Sequence, residues 1–227
     1  MKFGMLLFPG LTQLDLTGPF EVFSRIPGAE ILLVSEKREP VKSDGGLMLV
    51  PSASFENCPQ VDLLFVPGGR GVFEAMQNQK LLTFLRAQAV HAGYITSVCT
   101  GALILAAAGL LDGFRATTHW LSLELLKKFG IETEDERVVI DRNRITGGGV
   151  TAGIDFGLYV TAKLYGEDLA KEIQLLMEYN PAPPFHSGSP STAESRIVHS
   201  ITESRRSIQK EREEFIGKLM EKSKMIL

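Results

Sequence analysis

The chain has 227 residues, 44% of them hydrophobic and 22% charged, which suits one substantial α/β domain or two small ones with a sizeable core. The formal net charge of -3 argues against nucleic acid or an acidic membrane surface as the main partner. No apolar run approaches the roughly 20 residues needed to span a bilayer.

Short apolar runs alternate with helical patterns along the chain. Phe3–Phe8 predicts a first strand; Pro9 and Asp15 interrupt its apolar character, so it reads as a strand and not a signal peptide. Gln13–Arg25 predicts a helix, and Glu30–Ser35 a second strand. Leu47–Val50 follows the Gly45-Gly46 turn and reads as a third. Asp62–Val66 is continuously apolar, as a strand buried on both faces is, and it stops at Pro67-Gly68-Gly69. Phe73–His91 is helical, Tyr94–Val98 another buried strand, and Thr100–Leu111 an alanine-rich apolar helix. His119–Phe129 is a short amphipathic helix. Arg137–Ile140 and Arg144–Thr146 flank Asp141-Arg142-Asn143, which is hairpin chemistry. Thr151–Tyr165 and Asp168–Glu178 are helices.

This alternation predicts a mostly parallel sheet with helices on both faces. The one compositional break is Asn180–Pro190 (NPAPPFHSGSP), which suits neither helix nor ladder strand. It divides a catalytic domain, 1–190, from a C-terminal helical extension, 191–227. A charged helical pattern over Ser191–Lys224 carries one apolar stripe: Ile197, Ile201, Ile208, Phe215 and Leu219. The expectation is a solvated helix packed by that stripe, with a subunit contact as a secondary role.

Two cysteines, Cys58 and Cys99, make a poor disulfide framework for this length, which predicts a reducing, cytoplasmic setting. No CxxC, HxxxH or HExxH spacing marks a metal site.

The most informative segment is YITSVCTGALILAAAGLL. A strand ends at Val98, Cys99 follows, and a helix opens at Thr100-Gly101. A thiolate there faces the positive end of the helix dipole, which predicts a lowered thiol pKa. The backbone N–H of Thr100 is free to bind developing negative charge. The bland alternative is a small buried hydrophobe; position favours a nucleophile. Cys58, in FENCPQ, lacks such a setting and reads as structural.

Pro67-Gly68-Gly69 ends a buried strand, where ligands sit in open α/β sheets; a tight turn alone explains it equally well. Gly147-Gly148-Gly149 lies between strand and helix but lacks GxGxxG spacing, so a dinucleotide site is not expected. Asp15, among apolar neighbours near the end of the first strand, is either a carboxyl of raised pKa or a helix N-cap. His119, in ATTHW, is either a base near Cys99 or a cap for the following helix; spacing does not decide.

At LLFPGLTQLDLTGPFEVF, FVPGGRGV, TSVCTGALILAAAGLLDGFRATTHW, RITGGGVTAGIDF and EYNPAPPFHSGSP the chain resembles the ThiJ/PfpI superfamily, relatives of class I glutamine amidotransferases. The likeness runs from Phe3 to about Pro190. The Asp-Leu-Thr-Gly-Pro and EYNPAPPF stretches resemble its hydratase-like branch, which acts on isocyanides. The resemblance implies a flavodoxin-like three-layer sandwich, no cofactor, and a homodimer with its site near the interface. It implies that Cys99 is the nucleophile and Asp15 the acid touching it, where glyoxalase and deglycase branches usually carry glutamate. It further implies Thr100 after the nucleophile, Gly69 as a backbone donor, and Gly148 and Val150 in the adjoining loop. Regulators with the same domain add a helix-turn-helix module, for which the 37 residues after Pro190 are too few.

The implied reaction converts an isocyanide, the small-molecule partner, and water to an N-substituted formamide through a covalent thioimidate on Cys99. A glyoxalase or deglycase using the same cysteine, or a cysteine redox sensor, are the competing expectations.

Overall fold

The computed structural model describes residues 1–224. In chain order the strands are β1 (Lys2–Leu6), β2 (Glu30–Ser35), β3 (Val41–Lys42), β4 (Met48–Leu49), β5 (Ala53–Ser54), β6 (Leu63–Val66), β7 (Tyr94–Val98), β8 (Arg115–Ala116), β9 (Glu132–Thr133), β10 (Val138–Asp141) and β11 (Arg144–Gly147). The helices are α1 (Gln13–Phe23), α2 (Val72–Gln77), α3 (Gln79–Ala89), α4 (Gly101–Ala107), α5 (Leu123–Lys128), α6 (Ala152–Tyr165), α7 (Glu167–Leu176) and α8 (Ser195–Lys224).

Seven strands form the central sheet in the order β10-β11-β7-β6-β1-β2-β5. All neighbours are parallel except the β10–β11 hairpin. The apolar runs explain the middle of the sheet: all four residues of β6 are buried, as are Ile95 to Val98 of β7. Chain order reverses at β1, which lies between β2 and β6. That reversal opens a crevice beyond the carboxyl ends of β1, β6 and β7, the usual ligand position in such sheets.

α1 and α6 pack closely because Gly157 faces Val22; a Cβ at Gly157 would sit 2.9 Å from the Val22 Cβ. Phe3, Phe23, Phe65 and Phe156 meet between these helices and the sheet. The core is one cluster running from Phe3 to Ile216, so the end of α8 belongs to it.

Several elements differ from expectation. The single helix predicted over Phe73–His91 is two, because Asn78 Oδ1 accepts from the N–H groups of Lys80 and Leu81 and starts a new helix. His119–Phe129 divides into a 3-10 turn, Trp120–Ser122, and α5. Leu47–Val50 contributes only Met48–Leu49, paired antiparallel with Val41–Lys42 outside the main sheet. β3, β5, β8 and β9 have two residues each, too few to show any periodicity. On α8 the stripe is shifted: Ile201 is exposed, whereas Arg212 and Ile216 are buried.

Candidate active site

β7 runs directly into α4, and Cys99 is the residue between them. Its φ is 52°, a left-handed conformation that is strained for a residue with a Cβ. The elbow is pinned on three sides. The Cys99 N–H donates to the carbonyls of Gly147 (3.0 Å) and Gly148 (2.8 Å) at the end of β11. Thr118 Oγ1 donates to the Cys99 carbonyl at 2.7 Å. The Gly101 backbone presses on the end of β6; a Cβ there would lie 2.2 Å from the Val66 carbonyl oxygen.

Asp15 sits in the first turn of α1, fully buried. The cap position belongs to Thr12, so the N-cap reading of Asp15 does not apply. Asp15 Oδ2 accepts from the Gly68 N–H at 3.1 Å, and the same carboxyl, whose Oδ1 is buried without a hydrogen-bond partner, interacts with the Cys99 thiol. Burial raises the Asp15 pKa to about 7, against the hydrogen bonds from Cys99 and Gly68.

The lowered thiol pKa expected from the helix start is not found. Burial, and then the negative charge of Asp15, push the Cys99 thiol well above its ordinary value. Hydrogen bonds from the Thr100 backbone and side chain oppose this. The cause is physical: α4 is seven residues long, and the sulfur is desolvated beside a carboxyl. Cys99 and Asp15 therefore titrate as a coupled pair.

Gly68 is the residue the sequence reading passed over in favour of Gly69. A Cβ at Gly68 would stand 2.6 Å from the Thr100 nitrogen, 2.7 Å from Thr100 Oγ1 and 2.8 Å from Asp15 Oδ2. Only a hydrogen fits where these groups converge. Gly69 has φ 144°, and its N–H donates to Thr100 Oγ1 at 3.0 Å, so it positions Thr100 and is not a free donor. The Gly148 N–H is likewise engaged, with the Arg137 carbonyl at 2.9 Å, while the Gly148 carbonyl holds the elbow. Val150 lines the cavity in front of Cys99.

That cavity has a volume of about 320 Å³ and is bordered by Cys99, Thr100, Gly69, Val150 and His119. His119 Nδ1 accepts from the Leu121 N–H at 3.3 Å, so the residue both caps the 3-10 turn and faces the cavity. Burial, with the charges of Arg212 and Arg205, lowers its pKa. The far wall is α8, which supplies Arg205, Ile208, Gln209 and Arg212. Arg212 Nη2 donates to the Gly69 carbonyl at 3.0 Å and Gln209 Nε2 to the Leu121 carbonyl at 2.6 Å. The charged pattern of α8 concealed this, yet Arg212 lies one turn from both Ile208 and Ile216 on the inward stripe.

Cys58 is half-buried, and burial raises its pKa to about 11. Its thiol faces the Pro59 carbonyl, and Cys58 does not line the Cys99 cavity. Among the described residues no group of three His, Cys, Asp or Glu side chains is placed to hold a metal, and no helix is long and apolar enough to cross a membrane.

A strained cysteine at a strand-to-helix elbow, with a buried acid against its sulfur, defines a cysteine-dependent site of the flavodoxin-like class. The chain belongs to the DJ-1/PfpI family, whose model matches residues 1–163. It is similar to the isonitrile hydratase of Pseudomonas putida, 52% identical over 198 residues that cover 87% of each chain. A crystal structure of a ThiJ/PfpI family protein from Pseudomonas syringae superposes with a TM-score of 0.93 at 44% identity, covering 95% of this chain and 90% of that one. The transcriptional regulator GbdR of Pseudomonas aeruginosa is 32% identical over 185 residues, which are 78% of this chain but 50% of the regulator.

Proposed function

We propose that this chain is an isocyanide hydratase that adds water to an isocyanide and releases an N-substituted formamide. The observation that carries the reading is the buried Asp15–Cys99 pair at the elbow, in a chain 52% identical to an isonitrile hydratase.

The active form of the pair holds one proton. In its reactive arrangement Asp15 is neutral and Cys99 is a thiolate, steadied by Thr100. Sulfur bonds to the terminal isocyanide carbon, and the Asp15 proton moves to that same carbon, giving R–N=CH–S–Cys99. Water then adds across C=N: hydroxyl goes to carbon, and its proton, relayed through the Asp15 carboxylate, goes to nitrogen. The hydroxyl proton passes to Asp15 as C=O forms and the C–S bond breaks. R–NH–CHO leaves, and neutral Asp15 and the Cys99 thiolate are restored. Every proton is carried by Asp15, and no cofactor enters the scheme.

In this reading residues 1–190 form the catalytic domain and the remainder a C-terminal extension whose helix α8 walls the site; 225–227 lie outside the described residues. The two free cysteines suit the reducing cytoplasm. A homodimer is supported by the exposed Tyr159 on α6 and by Leu175 and Leu176 on α7, apolar side chains that a monomer would leave in water.

The test is a parallel assay with an alkyl isocyanide and methylglyoxal. The isocyanide should yield the formamide, with a transient adduct of one substrate mass on the Cys99 peptide. Rapid turnover of methylglyoxal with no reaction of the isocyanide would overturn the proposal.

A further inference from the structure

Arg212 is unusual for a buried arginine. It is 5% exposed, yet its Nε has no hydrogen-bond partner, and Nη2 is bound only to a neutral carbonyl, that of Gly69. The ion pairs of α8 run between Arg196 and Glu194, Lys128 and Glu213, Arg206 and Glu203, and Lys210 and Glu214. Arg212 and Arg205 make none among the described residues. Cys99, when it is a thiolate, and then Glu74 act on Arg212 through space, without an ion pair. A buried cation without an ion-paired carboxylate is costly, and proteins rarely keep one without a use.

The cation opens onto the Cys99 cavity. Arg205, two helical turns before it, lines the same wall, and Arg70 enters from the loop after β6. Asp44 is the one carboxylate of the lining, and it already accepts from Thr12 Oγ1 at 2.6 Å. The cavity is thus positive on the side of α8, and the charges of Arg212 and Arg205 add to burial in lowering the His119 pKa. Resting on the hydratase reading above, we infer that the cavity takes isocyanides carrying a carboxylate, with the isocyano carbon at Cys99 and the carboxylate on the Arg212 guanidinium. The guanidinium can receive a carboxylate at its cavity side: Nη2 keeps a second hydrogen beyond the one given to Gly69, and Arg205 on the same wall adds a second cation. The bound anion gives Arg212 the carboxylate partner that the protein does not supply, and the cavity of about 320 Å³ restricts the class to small molecules.

Isocyanoacetate and isobutyl isocyanide test this, because they share size and branching and differ in charge. Wild-type enzyme should favour isocyanoacetate in kcat/KM by about tenfold or more, through a lower KM that rises with added salt. Its product, N-formylglycine, should inhibit isobutyl isocyanide hydration competitively. Arg212→Gln should collapse the ratio of the two kcat/KM values, and Arg212→Lys should restore part of it. If Arg212→Gln does not fold, Arg205→Gln on the exposed face of the wall should still reduce the ratio. Equal handling of both substrates by the wild type, with no inhibition by N-formylglycine, would overturn the inference and leave the hydratase reading standing. Failure to hydrate either substrate would remove both.

Discussion

The Gly68 N–H donates to Asp15 Oδ2 at 3.1 Å, joining the turn after β6 to the first turn of α1. This bond orients the carboxyl against Cys99, and the missing Cβ of Gly68 leaves room for it. Gly68→Ala would force a methyl group to 2.6 Å from the Thr100 nitrogen and 2.8 Å from Asp15 Oδ2. Activity should fall by about 10²-fold or more, since small misplacements of reacting groups have that effect. Steady-state kinetics beside a thermal melt would check it; normal activity would show that the cradle is not needed.

Asp15→Asn should leave the fold intact while removing the proton carrier. The expected loss in kcat is roughly 10²- to 10⁴-fold, the usual worth of general acid–base catalysis. Full activity across the pH range would refute the assigned role.

The pH profile follows from the same carboxyl. Two protons on the pair leave no thiolate, and the first leaves as pH rises through about 7. For a neutral isocyanide, kcat/KM should therefore climb through neutrality and level off above it. Stability should move oppositely. The folded-state pKa of about 7 exceeds the ordinary 3.8, so the folded state holds its proton more tightly than the unfolded state does. That contribution is complete below about pH 4 and is lost as pH rises to about 7, at up to about 1.4 kcal/mol per unit. Melting curves of wild type and Asp15→Asn should coincide below about pH 4, separate as pH rises, and reach their full gap just above neutrality, with the variant the more stable.

Cys99→Ala and Cys99→Ser should be inactive, while Cys58→Ser should retain near wild-type turnover. Because Cys99 has φ 52°, Cys99→Gly should be the more stable of the Gly and Ala variants, by about 1–2 kcal/mol. Denaturant unfolding of the two would check this.

Thr118→Val would leave the buried Cys99 carbonyl without its 2.7 Å donor. The expected cost is about 1–3 kcal/mol of stability, with a lower kcat as the elbow loosens.

Much of this molecule is determined by the sequence alone. The apolar run Leu63–Val66 and the run Tyr94–Val98, rich in β-branched residues, specify buried parallel strands, because short runs without a polar face suit strands covered on both sides. A cysteine between such a strand and an apolar helix marks the elbow, and Asp15, Thr100 and Val150 lie about it. Chain order holds no record of what meets across space. The carboxyl of Asp15 reaches Cys99 because β1, β6 and β7 lie side by side in the sheet. The sign of the thiol shift depends on burial beside that carboxyl, which outweighs the dipole of a short helix. The cavity wall is decided by how α8 folds back to bring Arg212 to Gly69, a contact across 143 residues for which local pattern offers only one charged side chain on an apolar stripe.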